Sequence, residues 1–145
     1  MAFAYLFFLF LFLVLTFKTI QSRLGTLLSQ KRRMLQERLV RIGFKVLPAH
    51  GTYFLVADFS SLLKNVLLNT DVTDDDVSFC FHVTRHAGVT LIPVSAFYED
   101  ANAAPRTLVR FVFCKTDEKL TQACDRLEDY FGRLKADLPS ESILP

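Results

Sequence analysis

Apolar and polar positions alternate with two different periods along this chain, and the change of period marks its elements. Leu28, Leu35, Leu39 and Ile42 recur at helical spacing, and Gly43 falls where a left-handed residue would end that helix. "FKVLPAHGTYFLVADF" (44–59) reads as a short strand, a turn around Pro48 and Gly51, and a stronger strand from Thr52 to Phe59. Residues 60–73 are expected to form a loop. Asp74, Asp75 and Asp76 suit the positive end of a second helix, with an expected apolar stripe of Val77, Cys80, Phe81, Thr84 and Ala87 before Gly88. "VTLIPVSAF" is a brief strand that ends or turns at Pro93, and "TLVRFVFCK" (107–115) is a full one. Thr116 or Asp117 then caps a last helix carrying Leu120, Ala123, Cys124, Leu127, Tyr130, Phe131 and Leu134 on one side. The pattern predicts an α/β (α+β) unit, a small mixed sheet with helices covering one face, preceded by an apolar N-terminal helix.

At 145 residues the chain has room for one ordinary domain. We divide it into an apolar segment at 1–17, a basic linker at 18–28, the folded unit at 29–138 and a tail at 139–145. The first segment, "MAFAYLFFLFLFLVLTF", carries no charge, and as a helix it would rise about 25 Å against a hydrocarbon core of roughly 30 Å. It reads either as a short signal anchor, with the basic residues from Lys18 to Lys45 touching anionic lipid, or as a gene-model artefact translated from pyrimidine-rich DNA. No basic stretch precedes it and no small-x-small cleavage site follows it, which argues against a secretory signal.

The formal net charge of +2 gives no general polyanion signal, and no aromatic-basic platform suggests nucleic acid. Cys80, Cys114 and Cys124 form an odd set without CxxC spacing and are expected to be packed thiols. His82 and His86 stand one helical turn apart on what should be the solvated side of the second helix, with no third metal ligand evident. "DVTDDDVSFCFH" begins like a calcium loop but has Asp76 and His82 where that loop needs glycine and glutamate. No metal site is expected. Arg110 is the anomaly. In a strand that looks dry on both faces it lies beside Leu108 and Val112, while Val109, Phe111 and Phe113 point the other way. A guanidinium there needs an anion, either an internal acid such as Asp58 or an incoming carboxylate held in a bidentate fork.

Three blocks then acquire a common meaning. "GTYFLVAD" (51–58), "GVTLIPVSAFY" (88–98) and "LVRFVFCKTDEKL" (108–120) resemble, in order and spacing, the C-terminal small domain of class I/II pyridoxal-phosphate aminotransferases. The similarity is greatest to the kynurenine, glutamine and methionine aminotransferase and succinyldiaminopimelate branch, and it covers about Ser29 to Lys135. It implies a cytoplasmic enzyme, homodimeric when complete, that moves an amino group between an amino acid and a 2-oxo acid. On that resemblance Arg110 binds the substrate α-carboxylate, Tyr53, Ser95 and Phe97 approach the substrate, and Gly51 and Pro93 shape the pocket. Gly51 is expected to serve backbone conformation. The family's Schiff-base lysine lies in a large domain that nothing here resembles; "SQKRR" (29–33) lacks the surroundings of the "S-x-[ST]-K" block. The resemblance therefore implies a chain that holds one end of a substrate without cofactor machinery. The competing expectation is a membrane-anchored, non-catalytic module that binds a small carboxylate or a protein partner.

Overall fold

The computed structural model describes residues 23–67, 75–100 and 103–136. The apolar segment 1–17, the tail 139–145 and the first four residues of the calcium-like run, 71–74, lie outside these residues. A first helix, α1, is already formed at residue 23 and continues to residue 42. After it come β1 (Lys45–Val46), β2 (Phe54–Asp58), α2 (Ser60–Leu67), α3 (Asp76–Ala87), β3 (Ile92–Pro93), a 3-10 turn (Val94–Phe97), β4 (Leu108–Val112) and α4 (Asp117–Ala136).

The strands form one sheet in the order β1-β2-β4-β3, and every pairing is antiparallel. The expectation of a mixed sheet is thus corrected. The helical excursion between β2 and β4 brings the chain back along β3, and the 3-10 turn reverses it again, so β4 runs against both neighbours. Strands β2 and β4 share the same alternation of half-buried and buried positions. Their register sets Leu55 opposite Phe111 and Ala57 opposite Val109 on one face, and Phe54 opposite Val112 and Val56 opposite Arg110 on the other. The first set joins the hydrophobic core with residues of the helices, so among the described residues the helices cover that face alone.

Aromatic packing fixes how the helices lie. The Phe59 ring, fully buried, stacks on Phe79 of α3 with centroids 3.8 Å apart, and Phe44 meets Phe111 and Phe131 edge-on at 5.2 and 5.5 Å. Each such ring contributes roughly 2–3 kcal/mol by burial, and pairing adds about 0.5–1.5 kcal/mol. Helix α1 buries Leu35, Leu39 and Ile42 and ends at Gly43, whose φ of 122° only glycine adopts easily; the Gly43 and Phe44 N–H groups both donate to Leu39 C=O. Helix α4 buries Leu120, Cys124, Leu127, Tyr130, Phe131 and Leu134, nearly the expected stripe. Across α1 and α4, the Arg38 guanidinium donates to both Glu128 oxygens and to Asp125 at 2.6 Å. These bonds hold the Glu128 carboxyl below its usual range and raise Arg38 further.

Two local expectations fail. Residues 60–67 are a helix, α2, where a loop was expected: Asp58 Oδ1 accepts the Ser60 N–H at 2.9 Å, capping the start, and Leu62 is buried beneath it. The stripe of α3 is also shifted. Val77 and Phe81 are exposed, Phe81 by 71%, whereas Asp76, Phe79, Cys80, Val83 and Ala87 are buried. The stack of Phe79 on Phe59 and the bonds of Asp76 set the rotation of this helix.

Candidate functional site

The face of the sheet that no described helix covers presents Arg110. Its neighbours there are Val56 on β2 and Ile92 on β3, opposite it in register. From the β2 side the Phe54 ring lies under the guanidinium, with its centroid 3.7 Å from Cζ; from beyond β3 the Phe97 ring lies 4.3 Å away. Each contact stabilises the cation by about 0.5–2 kcal/mol and strips water from its flat faces. Among the described residues no carboxylate pairs with Arg110, and its Nε is buried without a hydrogen-bond partner. Asp58, the internal candidate, is spent elsewhere: it lies opposite Leu108 and caps α2. A guanidinium walled by rings, with no described acid beside it, can accept an anion only at its edge, where the fork of N–H donors matches a carboxylate.

The Phe97 wall is held from behind. Asp76, the fully buried carboxylate at the start of α3, accepts the Ser95 N–H and the Ser95 Oγ–H, each at 2.8 Å. The Ser95 hydroxyl is therefore turned toward Asp76, and the residue anchors the 3-10 turn that carries Phe97. Pro93 ends β3 opposite Val109 and caps the same turn with φ −66°. Phe97 remains 60% exposed and Tyr98 46%.

On the other flank, Tyr53 is 53% exposed and touches Phe54 edge-on, with centroids 5.9 Å apart, while its carbonyl accepts the Phe113 N–H. The glycine expectation needs correction here. Gly51 does not adopt the left-handed region, and a Cβ added to it would meet nothing within 4 Å. The left-handed residue is Thr52, with φ 67°, held by a bond from its Oγ1–H to Phe54 C=O at 3.1 Å. A β-branched residue there stores roughly 1–3 kcal/mol of strain. A cavity of about 260 Å³ lies between residues 47–52 and the side chains of Phe54 and Val56.

The structure thus brings Arg110 and Phe97 together, with Ser95 and Pro93 behind Phe97 and Tyr53 and Gly51 at the far end of β2. Sequence reasoning missed Phe54, although its alternation with Val56 puts it on the Arg110 face. It also missed the anchoring role of Asp76, for which no local signal exists.

The remaining candidates resolve differently. His82 is half-buried between α3 and α4 instead of solvated, because its Nε2 shares a hydrogen bond with Tyr130 Oη. Burial, then His86 and Arg85, lower the pKa of His82. Among the described residues no three His, Cys, Asp or Glu side chains converge on a metal position. Cys80 and Cys124 are buried free thiols and Cys114 is exposed; burial pushes Cys80 up to about 12, so it stays protonated. Much of the basic N-terminal cluster is used internally: Lys31 pairs with Asp117 at 2.7 Å, Arg32 donates to Ala49 C=O and Arg38 binds α4. Among the described residues no helix is long and apolar enough to cross a membrane.

Comparison with known proteins completes the picture. The family described as aminotransferase class I and II matches residues 22–127. The Escherichia coli methionine aminotransferase is 38% identical over 98 residues, covering 68% of this chain and 22% of its own length. The Dictyostelium discoideum kynurenine–oxoglutarate transaminase is 37% identical over 114 residues, covering 73% and 26%. Among solved structures, N-succinyldiaminopimelate aminotransferase from Mycobacterium tuberculosis superposes with a TM-score of 0.62 at 38% identity, covering 74% of this chain and 25% of that one. The chain spans about a quarter of the length of these relatives.

Proposed function

The chain belongs to the class I and II aminotransferases, and from that premise we propose that it supplies the substrate-carboxylate arm of such an enzyme. In this reading the edge of the Arg110 guanidinium takes the α-carboxylate of an amino acid or 2-oxo acid. Phe54 and Phe97 keep the fork dry and oriented, and Tyr53 borders the approach. The observation that carries the reading is Arg110 itself: a half-buried cation between two rings, with its Nε unpaired and no acid beside it among the described residues. Apolar neighbours around it suit substrates with one carboxylate and an uncharged side chain.

The family works with pyridoxal 5'-phosphate, which requires a lysine for the Schiff base and donors for the phosphate. The residues around Arg110 do not fit that group. Among the described residues the lysine whose strand register puts it on this face is Lys45, exposed on β1 and two strands away. Lys31 and Lys135 are engaged with Asp117 and with Ile42 C=O. Amino-group transfer then belongs to an assembly in which a large domain brings the lysine to the Arg110 face.

The test is a titration of the 145-residue chain with phenylpyruvate, followed by the NMR signal of the Arg110 Nε–H. Arg110 is expected to shift saturably with the acid and not with its methyl ester, and Arg110→Gln to abolish binding. An equal response to acid and ester refutes the carboxylate role. Separately, the chain is expected to leave the visible spectrum of pyridoxal phosphate unchanged; measurable transamination by this chain alone would overturn the claim that the lysine comes from elsewhere.

A further inference from the structure

The surface between α3 and α4, remote from Arg110 in sequence and on the helix side of the sheet, collects three nitrogen and oxygen donors. His82 and His86 lie one turn apart on α3 with ring centroids 4.4 Å apart and planes tilted by 32°. Tyr130 reaches them from α4: its hydroxyl bonds His82 Nε2, and its ring lies 6.4 Å from that of His86, nearly parallel. Beside them opens a cavity of about 260 Å³ bordered by His86, Tyr130, Arg133 and Leu134. From this convergence we infer that His82, His86 and Tyr130 form a chelating site for a late first-row divalent metal ion.

The chemistry follows from spacing. Imidazoles on adjacent helical turns can both reach one ion at about 2.0–2.1 Å, and a phenol oxygen completes an open N₂O set with positions left for water. The protein's other histidine, His50, is exposed in the loop before β2 and takes no part. His82 Nε2 already meets Tyr130 Oη, so both donors face the same point between α3 and α4. Tyr130 ligates by releasing its proton to solvent as the metal binds. Arg85 on α3 and Arg133 on α4 bring positive charge to the same surface. The site therefore favours ions with the strongest bonds to imidazole, Cu²⁺ first and Ni²⁺ next. Occupancy would tie α3 to α4 through metal bonds in place of the His82–Tyr130 hydrogen bond.

The experiment uses the full chain carrying Cys114→Ser, which removes the exposed thiol, and titrates Ni²⁺ by calorimetry at pH 7.5. One ion per chain is expected, with a melting temperature that rises as Ni²⁺ is added. His86 is exposed, so His86→Gln should keep the fold and weaken binding more than about tenfold; His50→Gln should leave it unchanged. With Cu²⁺ the parent should show a visible phenolate-to-copper charge-transfer band that Tyr130→Phe loses. Binding that survives His82→Gln combined with His86→Gln, or falls equally with His50→Gln, overturns the site. A copper spectrum unaltered by Tyr130→Phe overturns the third donor.

Discussion

Asp76→Ala removes the acceptor for both Ser95 donors and offers a stringent check on how the Arg110 site is held. Each hydrogen bond to a charged acceptor is worth about 1.5–3 kcal/mol, and a buried donor left without a partner costs about 1–3 kcal/mol. The two bonds at 2.8 Å converge on one carboxylate that solvent does not reach, so the loss should be about 3–5 kcal/mol. Against a total stability of roughly 5–15 kcal/mol that is a large fraction. Ser95→Ala deletes only the hydroxyl bond and should cost about 1–2 kcal/mol. Urea unfolding at constant slope gives each value, and the double variant should fall short of additivity by about 1–2 kcal/mol. Because the same bonds fix the turn bearing Phe97, Asp76→Ala should also erase the ring-current displacement of the Arg110 side-chain protons by Phe97. A loss below about 1 kcal/mol, or an additive pair, would show that the turn is positioned by something else.

Three further outcomes are expected. Folding keeps His82 below its ordinary pKa of 6.5, so the unfolded chain binds the proton first; stability should be full above that pH and decline as pH falls through it, a slope that His82→Gln flattens in melting curves taken across pH. Phe59→Ala empties one side of the 3.8 Å stack on Phe79 and should cost about 3–5 kcal/mol in urea titrations, with α3 losing amide-exchange protection first. Gly43→Ala meets both a φ of 122° and a Leu62 carbon 3.0 Å from the new Cβ, so a penalty of about 1–3 kcal/mol should appear as a lower urea midpoint.

How much of this was legible in the sequence depends on how local each determinant is. Strand alternation needs only adjacent residues, so the face of Arg110 could be read directly and the same rule would have yielded Phe54. The ends of α1 and α3 could be read from glycines whose positive φ side chains resist, Gly43 and Gly88. The rotation of α3 could not. Val77 and Phe81 have helical spacing as good as that of Phe79 and Val83, and the choice rests on Phe59 and Ser95, partners 19 or more positions away. Helix α2 was missed because its signal is a short apolar run, and its cap comes from a strand residue, Asp58, that looked like a partner for Arg110. Thr52 in a left-handed conformation contradicts local preference outright, with glycine next to it to absorb the turn.

The two faces of the sheet follow opposite rules, and that contrast is the strongest physical argument for incompleteness. On the helix side, Leu55, Ala57, Val109 and Phe111 are nearly or wholly buried and surrounded by their own chain. On the other, Phe54, Val56, Leu108 and Val112 are only half-buried and cover an arginine that no described acid neutralises. A self-contained domain gains little from such a face: burying it requires a counter-charge, and exposing it leaves apolar area in water. Both costs vanish if a second body closes over the face and an acid enters at the guanidinium edge. Adding phenylpyruvate alone should therefore engage Arg110 but leave Tyr53 and Phe97 reactive to solvent probes, whereas a complementary large domain should protect both rings; protection by the small acid alone would refute the need for a second body.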